Sequence, residues 1–172
     1  MVLDLDRMTV KSTPGSHCQI TYKEKDYWVK ELTMLLEHEN YELDGNYFVF
    51  DEEEYRKLYD EVVWLPELYE YKEDGEKRIW KYSHIEGIVK YKTFDYYDIL
   101  KYFGKYFLGE IVPYILKRNK KDNRYFFHLD PGFGNFAMTD TGFCLLEPNN
   151  WQWVDEDKFN RIIRYACHKI IK

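Results

Sequence analysis

The sequence predicts an α+β protein, a single domain with two lobes. Patterns typical of short strands and hairpins come first and the long amphipathic helical patterns come later, and no repeat, low-complexity tract or linker divides the chain. Its 172 residues correspond to one ordinary domain. Apolar residues make up 45% and aromatic residues 19% of the composition, which is enough for a packed core and excludes global disorder.

The first predicted hairpin pairs residues 19–22 with residues 27–32, two β-favouring runs separated by four charged residues. Asp51 then begins a helix whose first turn is rich in glutamate, as the positive end of the helix dipole favours. Pro66 follows the end of that helix, because proline cannot continue it without losing a backbone hydrogen bond.

A second hairpin is predicted where residues 67–72 and 78–84 flank a turn with a central glycine. Asp95 then caps a long helix with one continuous apolar stripe. We expect this helix to be bent or broken near Gly109 and Pro113.

A loop is predicted for residues 127–135, which carry several turn-forming residues. Residues 136–138 and 143–146 form the next hairpin. Asp155 caps a last amphipathic helix, which ends in basic residues as the negative end of the helix dipole favours.

The composition narrows the function classes. With 25 Lys and Arg against 31 Asp and Glu, the net charge of −6 argues against a nucleic-acid surface. No run approaches the roughly 20 apolar residues of a membrane helix, and Asp4, Asp6 and Arg7 stand where a signal peptide would be apolar. Three cysteines without a CxxC pair suit a reducing compartment with buried thiols. We therefore expect a cytoplasmic protein with neither a nucleic-acid nor a membrane partner.

One segment of the sequence combines polar residues in a pattern that suggests a catalytic loop. His128, Asp130 and Asn135 form H-x-D-x-x-x-x-N between the long helical pattern and the third hairpin, and two glycines within it let the backbone curl. This pattern resembles the catalytic loop of the protein-kinase-like superfamily. The resemblance implies that Asp130 orients the acceptor hydroxyl and that Asn135 is an oxygen ligand of Mg²⁺.

Further residues follow in the order of that family. Glu147 comes after the third hairpin, where the family places its metal-binding aspartate, and Lys30 matches the phosphate-binding lysine of the third strand. Glu54 matches the ion-pair partner of that lysine. Residues 64–69 and 84–87 resemble the segment after the first helix and the lobe hinge.

The sequence is most similar to compact serine/threonine kinases encoded by bacteriophages, which carry a D-x-x-x-G-N loop, a hairpin and a D-P-x-x-W motif. This resemblance implies a reduced two-lobed kinase-like fold, with a sheet and one helix in residues 1–84 and a truncated helical lobe in residues 85–172. It also implies ATP and Mg²⁺ or Mn²⁺ as cofactors, and phosphorylation of host proteins in the host cytoplasm.

The sequence also departs from the family. Glu147 replaces the metal-binding aspartate, no G-x-G-x-x-G loop precedes the first hairpin, and Gly132 stands where many protein kinases keep a lysine. These departures favour an alternative function, a pseudokinase that binds a host protein and inhibits or redirects it. A plain α+β interaction protein with an accidental loop match is a third hypothesis.

Each candidate residue also has a structural interpretation. Lys30 could be an edge-strand lysine that faces water, and Glu54 could simply favour a helix N-terminus. Asp130 and Asn135 could form an Asx-rich turn, and Glu147 could be a surface residue at a strand end. For His128 we predict a structural role, a hydrogen bond to backbone that shapes the loop.

One basic segment remains outside this scheme. The run of lysines and arginines in residues 117–124 fits a solvated helix end, although an acidic protein substrate could also dock there.

Overall fold

The computed structural model divides the chain into two compact units, which are described separately. Unit 1 comprises Met1–Phe48 and Glu67–His84, and unit 2 comprises Val49–Pro66 and Ile85–Lys172. The structure describes residues 8–13, 17–24, 27–34, 50–75, 77–83, 85, 97, 100–101, 103–118, 120–132, 135–139 and 142–171.

Unit 1 contains one five-stranded antiparallel sheet in the order β1-β2-β3-β5-β4. Its strands are β1 (Met8–Thr13), β2 (His17–Glu24), β3 (Tyr27–Met34), β4 (Leu68–Asp74) and β5 (Lys77–Ser83). Both predicted hairpins are confirmed, since β2 pairs with β3 and β4 pairs with β5. The sequence analysis missed β1.

The β4–β5 hairpin turns at Gly75, whose φ of 56° lies in the left-handed region that glycine adopts without a side-chain clash. Along β5 the side chains of Trp80 and Tyr82 are buried, two residues apart, as expected when one face of a strand packs inward. Leu68 is buried opposite Tyr82 on the same face of the sheet. Val29 is also buried, but it lies opposite Lys81 and so on the other face.

Unit 2 begins with helix α1 (Glu52–Glu61), as predicted. Asp51 is its N-cap, because a side-chain oxygen of Asp51 accepts the Glu54 N–H at 3.0 Å. Tyr55 and Leu58 form the buried face of the helix, and the Tyr55 hydroxyl donates to the Pro66 carbonyl at 2.8 Å. Residues 49–66 group with unit 2, whereas the sequence had placed this helix in the lobe of residues 1–84.

The long helical segment consists of a π-helix (Phe103–Ile111) followed directly by α2 (Val112–Lys117). Phe103, Phe107 and Ile111 are buried at every fourth residue, which confirms the apolar stripe. The predicted break near Gly109 and Pro113 is instead a change from π to α geometry. Pro113 lies in the first turn of α2, where its missing N–H costs least. The predicted cap at Asp95 lies outside the described residues.

Two small antiparallel sheets follow in unit 2. Strand β6 (Tyr125–His128) pairs with β9 (Trp151–Val154), and β7 (Phe136–Thr139) pairs with β8 (Gly142–Leu145). The β7–β8 hairpin was predicted. Residues 127 and 128 were predicted as loop and lie in β6 instead, because all four β6 side chains are buried and the strand has no alternating pattern.

A 3₁₀ turn (Pro148–Asn150) leads into β9, and α3 (Glu156–Ile171) ends the described chain. Asp155 caps α3 as predicted, by accepting the Lys158 N–H at 2.7 Å. Phe159, Ile162 and Ala166 form its buried face. None of the helices in the described part of the chain is long and apolar enough to span a membrane.

An aromatic cluster forms the centre of unit 2. Trp151 is fully buried, and its ring lies 5.8 Å from Trp64, 5.7 Å from Phe126 and 5.7 Å from His128, measured between ring centroids. Because His128 contacts Trp151, the loop that follows His128 is attached to this packed core.

Cys144 is buried as well, and burial raises the pKa of its thiol to about 12.

Candidate functional site

The predicted loop lies in unit 2 between β6 and β7. Its first residue, Leu129, donates its N–H to the Asn150 carbonyl at 2.8 Å, and near its end the Asn135 N–H donates to the Gly132 carbonyl at 2.9 Å. Phe133 and Gly134 lie outside the described residues. The first of these two hydrogen bonds connects the start of the loop to the turn before β9.

His128 sets the shape of the loop. The side chain is fully buried, its Nδ1 accepts the Asp130 N–H at 3.2 Å, and its Nε2 lies 2.8 Å from the Leu146 carbonyl oxygen. Because Nδ1 accepts, Nε2 carries the proton and donates it, so the imidazole is neutral. This geometry confirms the predicted structural role. His128 joins Asp130 to the residue before Glu147.

Asp130 and Asn135 are in direct contact. The Asn135 Nδ2 donates to the backbone oxygen of Asp130 at 2.9 Å and to its carboxylate Oδ2 at 3.0 Å. A planar amide whose nitrogen faces Asp130 turns its oxygen the other way, so Oδ1 of Asn135 points away from that residue. The loop therefore presents one carboxylate and one amide oxygen in a fixed relation, with both side chains half-buried.

Glu147 is positioned by the same network. The Leu146 N–H donates to the Asn135 carbonyl at 2.8 Å, so the residue before Glu147 is bonded to both Asn135 and His128. Glu147 has a φ of 62° and a ψ of 77°, and its carboxylate Oε2 accepts from the Asn150 Nδ2 at 2.9 Å. It is half-buried rather than a surface residue at a strand end.

The donor set suits a hard divalent cation. Asp130, Asn135 and Glu147 supply carboxylate and amide oxygens, which are the ligands that Mg²⁺ and Mn²⁺ prefer. The hydrogen bonds described above turn the amide oxygen of Asn135 away from Asp130 and fix one oxygen of Glu147. The chemistry of these donors is the kind that the implied cation prefers, although no group of three or more His, Cys, Asp and Glu side chains forms a metal cluster among the described residues.

Lys30 lies in β3, the central strand of the sheet in unit 1, and its side chain is 1% exposed. The interpretation of Lys30 as an edge-strand lysine facing water is therefore wrong. A buried lysine is unusual, because removing an ammonium group from water is costly unless it is compensated. Its role as a phosphate ligand stays a prediction.

Glu54 has a partner that the sequence analysis missed. Its carboxylate forms an ion pair with the Arg118 guanidinium, and both side chains are largely buried. The described contact of Glu54 thus differs from the predicted pairing with Lys30. Arg118 belongs to the basic run that was interpreted as a solvated helix end, and for this residue that interpretation is wrong.

Arg118 also binds Glu61. The Arg118 Nε donates to Glu61 Oε2 at 2.9 Å, and the Tyr114 hydroxyl donates to the same oxygen. These hydrogen bonds, first from Arg118 and then from Tyr114, lower the pKa of the Glu61 carboxyl below its ordinary value of 4.5. We call Glu54, Glu61, Tyr114 and Arg118 the arginine cluster. Three of its members, Glu54, Glu61 and Arg118, line a cleft of about 300 Å³ together with Lys57, Lys120, Lys121 and Trp153.

The sequence analysis also missed Asn150, which contacts Glu147 and Leu129. It lies within the segment Glu-Pro-Asn-Asn-Trp that was compared with D-P-x-x-W, but the family motif leaves this position open. A polar residue three positions after a candidate metal ligand could have signalled a supporting role.

No protein-family model matches this chain, and a comparison with curated proteins finds no match.

Proposed function

We propose that the protein is an ATP-dependent phosphotransferase of the serine/threonine protein kinase type. The observation that carries this proposal is the pair of hydrogen bonds from Asn135 to Asp130, which fix the loop carboxylate and orient the amide oxygen away from it. Phosphoryl transfer needs little covalent chemistry from the protein, so a positioned carboxylate and oxygen ligands for a cation are its main requirements.

The order of the elements in unit 2 supports the proposal. The loop follows the helical segment and strand β6, the β7–β8 hairpin comes next, and Glu147 stands two residues after β8. The resemblance implies this order. His128 and Leu146 connect the loop to the Glu147 segment by a hydrogen bond of 2.8 Å, so the two candidate parts of the site belong to one hydrogen-bonded structure.

Each residue would have a separate role. Asp130 would orient the acceptor hydroxyl and accept its proton, while the hydroxyl oxygen bonds to the γ-phosphorus and the bond to the β–γ bridging oxygen breaks, releasing ADP. Asn135 and Glu147 would hold Mg²⁺ or Mn²⁺, and a bound cation neutralises the phosphate charge.

One residue would serve the nucleotide. Lys30 would steady the α- and β-phosphates, as the resemblance implies. Glu54 takes no part in this proposal, because its carboxylate is paired with Arg118. The acceptor would be a serine or threonine of a protein, a host protein if the gene is carried by a phage.

The test is ADP release from ATP in Mg²⁺ or Mn²⁺, with and without casein as a source of serine and threonine hydroxyls. We expect turnover in the wild type and a decrease of about 10²- to 10⁴-fold in Asp130→Asn, because the amide cannot accept the proton. Asp60→Asn is the matched control, since Asp60 is exposed near the C-terminal end of α1 and its loss should leave turnover unchanged.

Turnover that survives Asp130→Asn would refute the proposed role of that residue. If ATP with Mg²⁺ or Mn²⁺ raises the melting temperature but no ADP is released, the pseudokinase hypothesis replaces the enzyme. The substitution of glutamate for aspartate at position 147 favours that second function, because the longer side chain displaces the carboxylate.

A further inference from the structure

Asn150, a residue to which the resemblance assigns no role, contacts the candidate metal ligand Glu147. Asn150 contacts Glu147 twice: its N–H donates to the Glu147 backbone carbonyl at 3.0 Å, and its side-chain Nδ2 donates to the Glu147 carboxylate Oε2 at 2.9 Å. Two bonds from one residue fix both the backbone and the carboxylate of Glu147. The turn between β8 and β9 is therefore built around this pair.

Glu147 needs such support. Its φ of 62° lies in the left-handed region, which is unfavourable for a residue with a Cβ. Pro148 follows it, and the residue before a proline prefers an extended conformation. A longer side chain on a strained backbone has no single preferred direction by itself, so a contact must select one.

The amide of Asn150 is itself oriented by a neighbour. The Asn149 Nδ2 donates to the Asn150 Oδ1 at 3.0 Å. Because Oδ1 accepts this bond, Nδ2 of Asn150 is the group that faces the glutamate. Asn149, Asn150 and Glu147 thus form a chain of two side-chain hydrogen bonds that ends on the carboxylate.

The same residue also contacts the loop. The Asn150 carbonyl accepts the Leu129 N–H at 2.8 Å, which places Asn150 between the segment that carries Asp130 and the turn that carries Glu147. An amide side chain is well suited to orient a carboxylate that binds a metal ion. It orients a carboxylate by hydrogen bonding without the positive charge that would compete with a cation.

We propose that Asn150 is a positioning residue that orients the Glu147 carboxylate toward a divalent cation, with Asn149 fixing the amide of Asn150. This inference rests on the proposed function, since it assumes that Glu147 is a metal ligand. It explains how a glutamate can serve where the resemblance implies an aspartate: Asn150 holds the longer side chain in one direction.

The test is the affinity for Mn²⁺ in the presence of ATP, measured from the electron paramagnetic resonance signal of free Mn²⁺. We expect Asn150→Ala to weaken Mn²⁺ binding by about tenfold, the usual effect of removing a group that supports a metal ligand. Asn160→Ala is the matched control, because Asn160 is exposed on α3 and its loss should leave the affinity unchanged.

A double-mutant cycle separates positioning from a general structural role. In the background of Glu147→Ala, which removes the carboxylate that accepts the Asn150 bond, we expect Asn150→Ala to change the Mn²⁺ affinity by less than about twofold. An equal loss in both backgrounds would overturn the proposal. If Asn150→Ala does not fold, Asn149→Ala takes its place, and we expect it to weaken Mn²⁺ binding when Glu147 is present and to have no effect in the Glu147→Ala variant.

The two proposals fail differently. If the wild type binds no Mn²⁺ with ATP, the proposed metal site fails and the role of Asn150 fails with it. If the wild type binds Mn²⁺ and the cycle is additive, only the role of Asn150 is refuted.

Discussion

The candidate site and the arginine cluster are two places in unit 2 where carboxylates are held, and they hold them by opposite means. At the candidate site, Asp130 and Glu147 accept hydrogen bonds from the neutral amides of Asn135 and Asn150. In the arginine cluster, Glu54 and Glu61 are bound by the guanidinium of Arg118.

The difference concerns charge. An amide orients a carboxylate and leaves its negative charge, which a cation can then use, whereas a guanidinium neutralises the charge it binds. If the proposed function is correct, the candidate site serves chemistry, and we expect the arginine cluster to contribute mainly to the stability of unit 2.

The largest effect on stability is expected from His128→Ala. This change removes a fully buried ring that bonds the Asp130 N–H and the Leu146 carbonyl, and each of these two partly buried backbone groups loses that hydrogen bond. We expect the free energy of unfolding to fall by about 3 kcal/mol, measured by urea denaturation. His168→Ala, at an exposed position on α3, should change it by less than about 0.5 kcal/mol.

His128→Ala also tests the connection between the two halves of the site. If this variant keeps full stability and full turnover, His128 does not hold the loop. The proposed connection between the Asp130 loop and the Glu147 segment would then be refuted.

A smaller loss, about 1–2 kcal/mol, is expected from Arg118→Met. The substitution keeps much of the side-chain volume but leaves Glu54 and Glu61 without their guanidinium, and the cost is moderated because the Glu61 side chain is 43% exposed. Arg161→Met, at an exposed position on α3, is the control. Turnover should be affected less by Arg118→Met than by Asp130→Asn, since the cluster is assigned to stability.

The same variant has a pH signature. The folded-state pKa of Glu61 lies below its ordinary value of 4.5, so the stability it contributes is complete above that value and is lost as the pH falls through the folded pKa. We therefore expect the difference in unfolding free energy between wild type and Arg118→Met to be large near neutral pH and to shrink below about pH 4. A difference that stays constant down to about pH 3 would contradict the ion-pair assignment.

The smallest effect on stability is expected from Gly142→Ala, a change outside both the candidate site and the arginine cluster. The Gly142 φ of 134° is strained for any residue with a Cβ, and an added Cβ would lie 3.6 Å from the Tyr106 ring, which is an ordinary contact. Backbone strain alone should therefore lower the unfolding free energy by about 1 kcal/mol in Gly142→Ala. A neutral result would mean that the turn between β7 and β8 relaxes at little cost.

The sequence predicted the parts of this molecule that depend on local signals. The β2–β3 and β4–β5 hairpins, α1 with its Asp51 cap, the β7–β8 hairpin and α3 were all visible from turn residues, caps and periodicity. Strand β6 was missed because four consecutive buried residues give no alternation.

Contacts between distant residues could not be predicted in the same way. Arg118 and Glu54 are 64 positions apart, so nothing local indicates their pairing. Asn150 was missed for a different reason: it is close to Glu147 in sequence, but its role depends on the left-handed backbone at Glu147 and on the amide of Asn149.

The central claim is that Glu147 and Asn135 hold a divalent cation beside Asp130, and that this cation strengthens the binding of ATP. Calorimetric titration with ATP, with and without Mg²⁺, tests it most directly in the wild type and in Glu147→Gln, with Glu110→Gln at an exposed position as the control. The glutamine side chain keeps an oxygen that can accept the Asn150 hydrogen bond and loses only the charge. We expect Mg²⁺ to strengthen ATP binding in the wild type and the control but not in Glu147→Gln, and an equal effect of Mg²⁺ in all three proteins would contradict the account.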